Sequence, residues 1–186
     1  AAMNRGKAVD NVIIVFSTMG IAVPSFVICT VLMYFFGVKL GWLPTMANQP
    51  GGMILPTISL SLYPMAYITR LERSSMLDVL GQDYIRTARA KGVRNFKVIF
   101  KHALKNAMVP ILPMIISSFI GILGGSMIIE QIFSIPGVGQ LYIKAVQLLD
   151  YDVFMADSIF YTFVGLLAGI VVDISYGFID PRIRMG

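Results

Sequence analysis

The chain has 186 residues, of which 56% are hydrophobic and 13% are charged, and its formal net charge is +5. Because soluble domains carry about 25% charged residues, this composition excludes most soluble enzymes and binding domains. It indicates a protein of the lipid bilayer. Four apolar segments approach or exceed the ~20 residues that a bilayer core requires, at about 12–36, 53–69, 107–129 and 158–179.

Each of these segments is a continuous apolar run, whereas the strands of a transmembrane barrel alternate in polarity over about 10 residues. Since lipid offers the backbone no hydrogen-bond partners, such runs should form helices. We therefore expect an all-α membrane protein, a polytopic helical bundle with four spans in one transmembrane domain, residues 1–186.

The distribution of positive charge predicts the orientation of this bundle. Thirteen of the fifteen Lys and Arg residues fall on one side if both chain ends are cytoplasmic, and only Lys39 and Lys144 fall outside. Nine of the thirteen lie in 70–106, which we interpret as a cytoplasmic loop. The segment 130–157 should then be external, and it carries four acidic residues. Topology thus accounts for the positive charge without nucleic-acid binding.

Prolines interrupt the first and third segments. Pro24, Pro110 and Pro113 each remove a backbone donor, and membranes tolerate such breaks where neighbouring helices or a cavity satisfy the freed carbonyls. We therefore interpret this region as the translocation pathway. Helical periodicity alone does not decide which polar side chain faces the path. The candidate pathway residues are Pro24, Ser25, Ser61 and Tyr63.

Two helical patterns divide the loop 70–106 at Gly92, a residue suited to a helix end. The second pattern has an apolar stripe opposite a basic one, so it is expected to lie on the inner membrane surface. The alternative is a solvated connector. The apolar stripes are Leu77, Leu80, Tyr84 and Ala88, and then Phe96, Ile99, Phe100, Ala103 and Ala107. The basic stripe, the predicted membrane-surface helix, is Arg94, Lys97, Lys101 and Lys105.

Small residues recur every four positions in the third and fourth segments, a spacing that lets helices approach closely. These predicted packing residues are Ser117, Gly121 and Gly125, and then Gly165 and Gly169.

Asp173 lies inside the fourth predicted span, where an ionisable group is costly unless it is paired. It stands about two turns from Asp180, near the inner boundary and within reach of an arginine such as Arg70 or Arg182. We favour a structural ion pair over a proton relay.

The sequence lacks the familiar catalytic and metal-binding patterns. It has no G-x-x-x-x-G-K-[ST] phosphate loop, so energy from ATP must come through a partner. His102 is the only histidine and has no cysteine or paired carboxylates near it. Cys29 is the only cysteine. Asp152 and Asp173 superficially resemble the aspartates of intramembrane proteases, but the first falls in the external segment and the second lacks a Gly-x-Gly-Asp setting.

The segment Arg86–Gly92 reads R-T-A-R-A-K-G, and nine residues later comes His102–Lys105, H-A-L-K. This resembles the cytoplasmic loop of ABC importer permeases, E-A-A-x-x-x-G followed after nine residues by I-x-L-P. Ala88, Gly92 and Leu104 match that general pattern. The departures at Arg86, Thr87, His102 and Lys105 resemble the peptide and nickel branch, in which T-A-R-A-K-G and R/K-H-A-L are usual. Further matches to that branch are Gly125–Glu130, Ile135–Leu141 and Ile179–Arg184.

The resemblance implies the fold of a type I ABC importer transmembrane domain, with a first span, a large external region and a second span expected upstream of residue 1. It implies that two permease subunits pair around a central path and that two cytoplasmic ATPases bind ATP and Mg²⁺. An extracytoplasmic solute-binding protein would deliver the substrate. The permease itself would be no enzyme, would hold no cofactor or metal, and would lie in the inner or plasma membrane of a prokaryote. The residues implied to contact an ATPase are Tyr84, Arg86, Thr87, Ala88, Arg89, Ala90, Lys91 and Gly92.

The resemblance points to short peptides as the substrate, with nickel or another small solute as the alternative. Two other classes stay open. A secondary transporter driven by an ion gradient would need charged residues at mid-membrane, and the first three segments contain none. A membrane anchor whose basic loop binds anionic lipid would, like the secondary transporter, need no ATPase subunit.

Overall fold

The computed structural model of the chain describes residues 1–123 and 126–179, and all regular secondary structure in these two ranges is helical. This confirms the all-α fold class. Gly125, Asp180, Arg182 and Arg184, which the sequence singles out, lie outside the described residues. The helices are α1 (Ala8–Ala22), α2 (Ser25–Lys39), α3 (Ile54–Leu80), α4 (Asp83–Ala90), α5 (Asn95–Ala107), α6 (Leu112–Leu123), α7 (Met127–Phe133), α8 (Val138–Leu148) and α9 (Tyr151–Ile179).

The predicted first segment, 12–36, is occupied by α1 and α2, which are bent by 103° instead of forming one straight helix. The bend lies at Val23 and Pro24, because the proline ring has no N–H with which to continue the hydrogen-bond ladder. The N–H of Val23 closes α1 on the carbonyl of Met19 at 3.0 Å, and the carbonyl of Pro24 accepts the first bonds of α2.

The central helix of the chain is α3. It contains 27 residues, about 40 Å at 1.5 Å per residue, and it packs against α1, α2, α5, α6 and α7. It begins at the predicted second segment, 53–69, and continues without a break into the predicted loop 70–106, as far as Leu80. One helix therefore joins the apolar segment to the charged one.

The predicted third and external segments are also divided differently. A bend of 59° separates α5 from α6, next to Pro110. The external segment 130–157 is largely helical, since it contains the end of α7, all of α8 and the start of α9. The last helix begins at Tyr151, earlier than residue 158, because Asp150 caps it: Oδ1 accepts the N–H of Val153 at 3.2 Å.

Helix length and composition bear on how the chain meets a membrane. Among the described helices, α9 is long and apolar enough over Tyr151–Ser175 to cross a bilayer by itself. If each bent pair, α1 with α2 and α5 with α6, makes one span, the number rises to three. Four spans stay a prediction.

A buried apolar cluster joins α2, α3 and α7. Its members are Cys29, Leu55, Ile129 and Phe133, all enclosed. The carbonyl of Phe133 also accepts the N–H of Ala47, in the connection between α2 and α3, at 3.1 Å. The lone cysteine is therefore a core residue, and α7 is fixed against the first half of the chain.

Candidate functional site

Helix α4, which carries most of the predicted contact residues, rests on a small hydrophobic core. Ile85 of α4 is 0% exposed and belongs to one buried cluster with Met76 of α3. The cluster is completed by four residues of α5, Val98, Ile99, Ala103 and Ala107. We call α3, α4 and α5 around this cluster the loop unit. Ile85 anchors α4 in this cluster. The predicted apolar stripe does not include Ile85 and contains the neighbouring Tyr84 instead.

The rest of α4 faces outward. Ala88 is partly buried against the hydrophobic core. Arg86 lies 3.6 Å from Asp83, a pair so exposed that its energetic weight is small. Helix α4 thus exposes a turn rich in basic residues, while its opposite side packs on the hydrophobic core of the loop unit. The predicted contact residues that are exposed are Tyr84, Arg86, Thr87, Arg89, Ala90, Lys91 and Gly92.

The chain leaves α4 through a left-handed residue. Gly92 has a φ of +73°, the conformation in which glycine commonly closes helices. Its N–H donates to the carbonyl of Arg89 at 2.9 Å, and the N–H of Val93 donates to that of Ala88 at 3.2 Å. Apart from Gly92 and its two chain neighbours, no described residue has an atom within 4 Å of the place a Cβ would take. Backbone conformation, and not space, therefore selects glycine here.

Side-chain hydrogen bonds fasten the end of α5 to its neighbours. Asn106 Nδ2 donates to Tyr84 Oη and to the carbonyl of His102, each at 2.9 Å. Ser75 Oγ of α3 donates to the carbonyl of Ala107 at 2.9 Å. This carbonyl is in the last turn of α5, where helices leave acceptors free, so the serine satisfies one of them.

A π-helical turn, Val98–Ala103, changes the phase of α5. In a regular helix Phe96 and Phe100 would share a face with Ile99, as the predicted stripe assumes. Instead they are 71% and 52% exposed, with ring centres 4.4 Å apart, while Val98 is enclosed. The wider turn rotates the residues on either side of it. The predicted basic residues are all exposed as well: Arg94, Lys97, Lys101 and Lys105.

A buried ion pair ties the start of α1 to α3. The enclosed carboxylate of Asp10 accepts two hydrogen bonds from the guanidinium of Arg73 and one from the N–H of Gly6. The Arg73 bonds, reinforced by that of Gly6, hold the pKa of Asp10 well below its usual range. Both carboxylate oxygens of the adjacent Glu72 are enclosed without a hydrogen-bond partner in the described ranges, and burial raises its pKa.

The break between α1 and α2 opens a cleft of about 470 Å³. Of the four candidate pathway residues, Pro24, Ser25 and Tyr63 line it. Ser61 is outside the lining, and its Oγ donates to the carbonyl of Ile58 within α3 at 3.0 Å. The lining carries no charged side chain. The fold thus brings three of the four residues together at the proline break.

The predicted packing stripes face open space in the described part of the chain. Ser117 and Gly121 on α6 are exposed, as are Gly165 and Gly169 on α9, and a Cβ built on any of these glycines would meet nothing within 4 Å. The stripes stay predictions about contacts beyond the described residues. A close helix contact occurs elsewhere, since a Cβ on Gly20 of α1 would stand 2.8 Å from that of Ala66 in α3.

Asp173 is exposed on α9 and forms no ion pair with any described residue, including Arg70. Its other predicted partner, Arg182, lies outside the described ranges. Residues 1–123 and 126–179 also contain no group of three His, Cys, Asp or Glu side chains arranged to hold a metal ion.

Glu130 joins two of the sequence motifs of the peptide and nickel branch. Its Oε1 accepts the N–H of Ser126 at 3.1 Å, and its Oε2 accepts that of Gln140 at 3.0 Å, so one carboxylate caps α7 and α8 together. A Cβ on Gly137 would overlap this carboxylate, and one on Gly139 would stand 2.9 Å from Oε2. Because neither glycine has a side chain, there is room for the Glu130 carboxylate.

Residues 1–185 match the family described as binding-protein-dependent transport system inner membrane component. The chain is 42% identical over 186 residues to the dipeptide transport system permease protein DppB of Bacillus subtilis (strain 168), with 100% of the chain and 60% of the relative covered. It is 40% identical over 188 residues to the oligopeptide transport system permease protein OppB of Haemophilus influenzae, covering 99% and 61%.

A third relative is the glutathione transport system permease protein GsiC of Escherichia coli (strain K12), 40% identical over 185 residues and covered to 99% and 60%. The chain thus spans about 60% of the length of these curated relatives. The resemblance found in the loop motifs is confirmed.

Proposed function

This chain belongs to the binding-protein-dependent transport system inner membrane component family, and on that premise we propose that it forms the core of a permease subunit of an ATP-driven importer of short peptides. The transport systems named for its relatives, for dipeptides, oligopeptides and glutathione, support peptides as the substrate class. The subunit moves its solute without chemistry of its own, and partner ATPase subunits bind ATP and Mg²⁺.

The mounting of α4 on the core around Ile85 is the observation that carries this proposal. An isolated helix of eight residues is marginal in water, so packing must hold α4 in place. A force applied to α4 therefore moves α3 and α5 with it. The outward side chains Arg86, Arg89 and Lys91 suit a groove with an acidic rim on a cytoplasmic ATPase subunit.

Helix α3, which is part of the loop unit, also extends to the cleft. Met76 in the buried cluster and Tyr63 in the cleft wall both belong to α3, about 20 Å apart along its axis. The Asp10–Arg73 pair joins α1 to α3 between them. When the ATPase subunits close on ATP, they move α4, and α3 tilts with it against α1 and α2. The cleft then opens to the other side of the membrane, which is alternating access driven by a partner.

The cleft and the exposed stripes complete the proposal. An uncharged lining suits a path that must pass peptides with varied side chains, so specificity resides in an extracytoplasmic binding protein. The exposed small-residue stripe of Gly165 and Gly169 suits close contact with a second permease subunit.

Charge reversal on α4 tests the docking contact. The complete subunit is assembled with its partners and reconstituted in vesicles with the binding protein. Arg86→Glu combined with Arg89→Glu should lower labelled dipeptide uptake about tenfold or more, equivalent to a loss of about 1.4 kcal/mol of coupling, and less ATPase should co-purify. Arg5→Glu combined with Lys7→Glu makes the same change of charge on exposed residues outside α4 and should keep uptake. Equal behaviour of the two double variants contradicts the assignment.

A steric block tests the pathway. Ser25→Trp fills the cleft, whereas Ser61→Trp adds the same bulk on a residue that does not line it. We expect dipeptide uptake to fall in the first variant and to persist in the second, with the ATPase subunits still bound in both. If the unmodified transporter takes up Ni²⁺ and not dipeptide, its substrate is nickel and not a peptide.

A further inference from the structure

Asp157 is an anomaly near the start of α9. The residue is 6% exposed, and its Oδ2 is enclosed without a hydrogen-bond partner in the described ranges. Buried carboxylate oxygens are nearly always hydrogen-bonded or paired, because leaving a charged oxygen without a partner is costly. Asp157 therefore requires a partner that lies outside the described protein atoms.

Tyr161 stands one turn later on the same face of α9. Its hydroxyl is likewise enclosed and without a hydrogen-bond partner among the described residues. The ring is held by an edge contact with Tyr142 of α8, with centroids 6.2 Å apart and an interplanar angle of 83°. Two enclosed oxygen atoms with free lone pairs thus belong to residues one turn apart on α9, and the ring contact places Tyr161 against α8.

A second carboxylate, that of Glu130, lies where α7 meets the start of α8. Glu130 is 8% exposed, and its Oε2 accepts the N–H of Gln140, two residues before the Tyr142 whose ring contacts Tyr161. Each Glu130 oxygen accepts one backbone N–H, which leaves each with a further lone pair. The one basic residue of α8, Lys144, is exposed and donates to Gln140 at 3.4 Å, so it does not neutralise them.

Two carboxylates and a phenol make a ligand set composed only of oxygen. Such sets bind hard cations, and Ca²⁺ in particular accepts carboxylates together with neutral oxygens in flexible geometry. A cation also removes the cost of enclosing two like charges without a counter-charge. We propose that Asp157, Tyr161 and Glu130 form a binding site for a hard metal cation, represented by Ca²⁺, where α7, α8 and α9 meet. This site does not rest on the proposed function.

Terbium(III), a luminescent substitute for Ca²⁺, is the probe for this site. The complete subunit in its assembled transporter is stripped with a chelator and titrated with Tb³⁺ while tyrosine is excited. We expect saturable emission that Ca²⁺ displaces at about 0.1–1 mM, the range of extracellular calcium modules. Absence of saturable emission, or emission that Ca²⁺ does not displace, overturns the proposal.

Matched variants locate the site. Asp157→Asn should weaken Tb³⁺ binding about tenfold or more, because ligand charge sets the affinity of such sites. Asp152→Asn makes the same change on an exposed residue of the first turn of α9 and should leave binding unchanged. Equal binding by the two variants overturns the assignment and would leave a water molecule or a basic side chain of a partner as the occupant.

Tyr161→Phe keeps the test decisive if Asp157→Asn does not assemble. Loss of the hydroxyl removes one ligand but keeps the ring contact with Tyr142, so the fold should persist. We expect its affinity for radioactive calcium, measured by equilibrium dialysis, to fall about tenfold. Ca²⁺ should also raise the unfolding temperature of the unmodified protein more than that of this variant. Unchanged calcium affinity in Tyr161→Phe overturns the ligand set.

Discussion

Arg73 and Asp10 lie 63 residues apart in the chain and form a two-bond ion pair, with Nε 2.7 Å from Oδ1 and Nη2 2.8 Å from Oδ2. The carboxylate is enclosed, so loss of the arginine leaves a buried charge without a counter-charge. The pair is thus a polar lock between α1 and the loop unit.

The lock has a predictable dependence on pH. Asp10→Asn should lower the unfolding temperature at neutral pH, with Asp78→Asn on the exposed side of α3 as the control. Because folding lowers the pKa of Asp10, its contribution is complete above the ordinary value of 3.8 and is lost as the pH falls towards the folded-state pKa. The difference between wild type and Asp10→Asn should therefore stay constant from about pH 8 to about pH 5 and shrink below about pH 4. A difference that disappears near pH 7 would contradict this account.

Removal of the α4 anchor should loosen the loop unit without affecting membrane insertion. Ile85→Ala removes an enclosed side chain and should cost about 2–5 kcal/mol of local stability. Hydrogen exchange of the backbone amides in 83–106 measures this as faster exchange. Arg89→Ala, an exposed change on the same helix, should leave the exchange rates unchanged. Identical exchange in the two variants would show that α4 is not held by Ile85.

The left-handed conformation of Gly92 makes an alanine there unfavourable. Gly92→Ala should destabilise the loop unit by about 1–2 kcal/mol, although the space around it is open. Gly81→Ala is the matched control, because Gly81 ends α3 at a φ of −81° and a Cβ there makes only ordinary contacts. Thermal unfolding should separate the two variants. Gly92→Pro should in addition uncouple ATP hydrolysis from uptake, and coupled transport by this variant would refute the role of the loop.

Because Gly137 lies against the Glu130 carboxylate, substitutions at these two residues should have non-additive effects on stability. Gly137→Ala forces a methyl group into the carboxylate and should cost about 1–3 kcal/mol of stability. The cost should be smaller in a chain that already carries Glu130→Ala, because the overlapping group is gone. A double-mutant cycle on unfolding free energies measures the coupling. Additive costs would mean that Gly137 is constrained by something other than Glu130.

The general architecture is readable from the sequence because it depends on composition and local periodicity. Continuous apolar runs predict helices, the position of Gly92 predicts the end of α4, and the spacing of Arg94, Lys97, Lys101 and Lys105 predicts an exposed basic face. Each of these features depends on residues within a few turns of one another. The family resemblance of the loop adds the expected partners, which no periodicity could supply.

Contacts between distant segments are not readable in this way. The partner of Asp10 is in another helix, and the reason for Gly137 is a carboxylate in α7. The stripe through Phe96 and Phe100 assumed a regular helix, and the π-helical turn in α5 invalidates that assumption. Ile85 is apolar, but its position does not fit the spacing of the stripe through Leu77, Leu80, Tyr84 and Ala88. Only the packed loop unit shows that it, and not Tyr84, is enclosed.

The π-helical turn in α5 has a consequence for how this surface changes between related sequences. A π-helical turn holds one residue more than a regular helix needs at that point. Deletion of a single residue within Val98–Ala103 would therefore remove the wide turn, leave a regular helix, and keep the two parts of α5 in their present orientation. Phe96 and Lys97 would stay on the exposed side, and Ala103 and Ala107 would stay in the core. A related sequence can thus be one residue shorter at this turn and still expose the same two faces of α5.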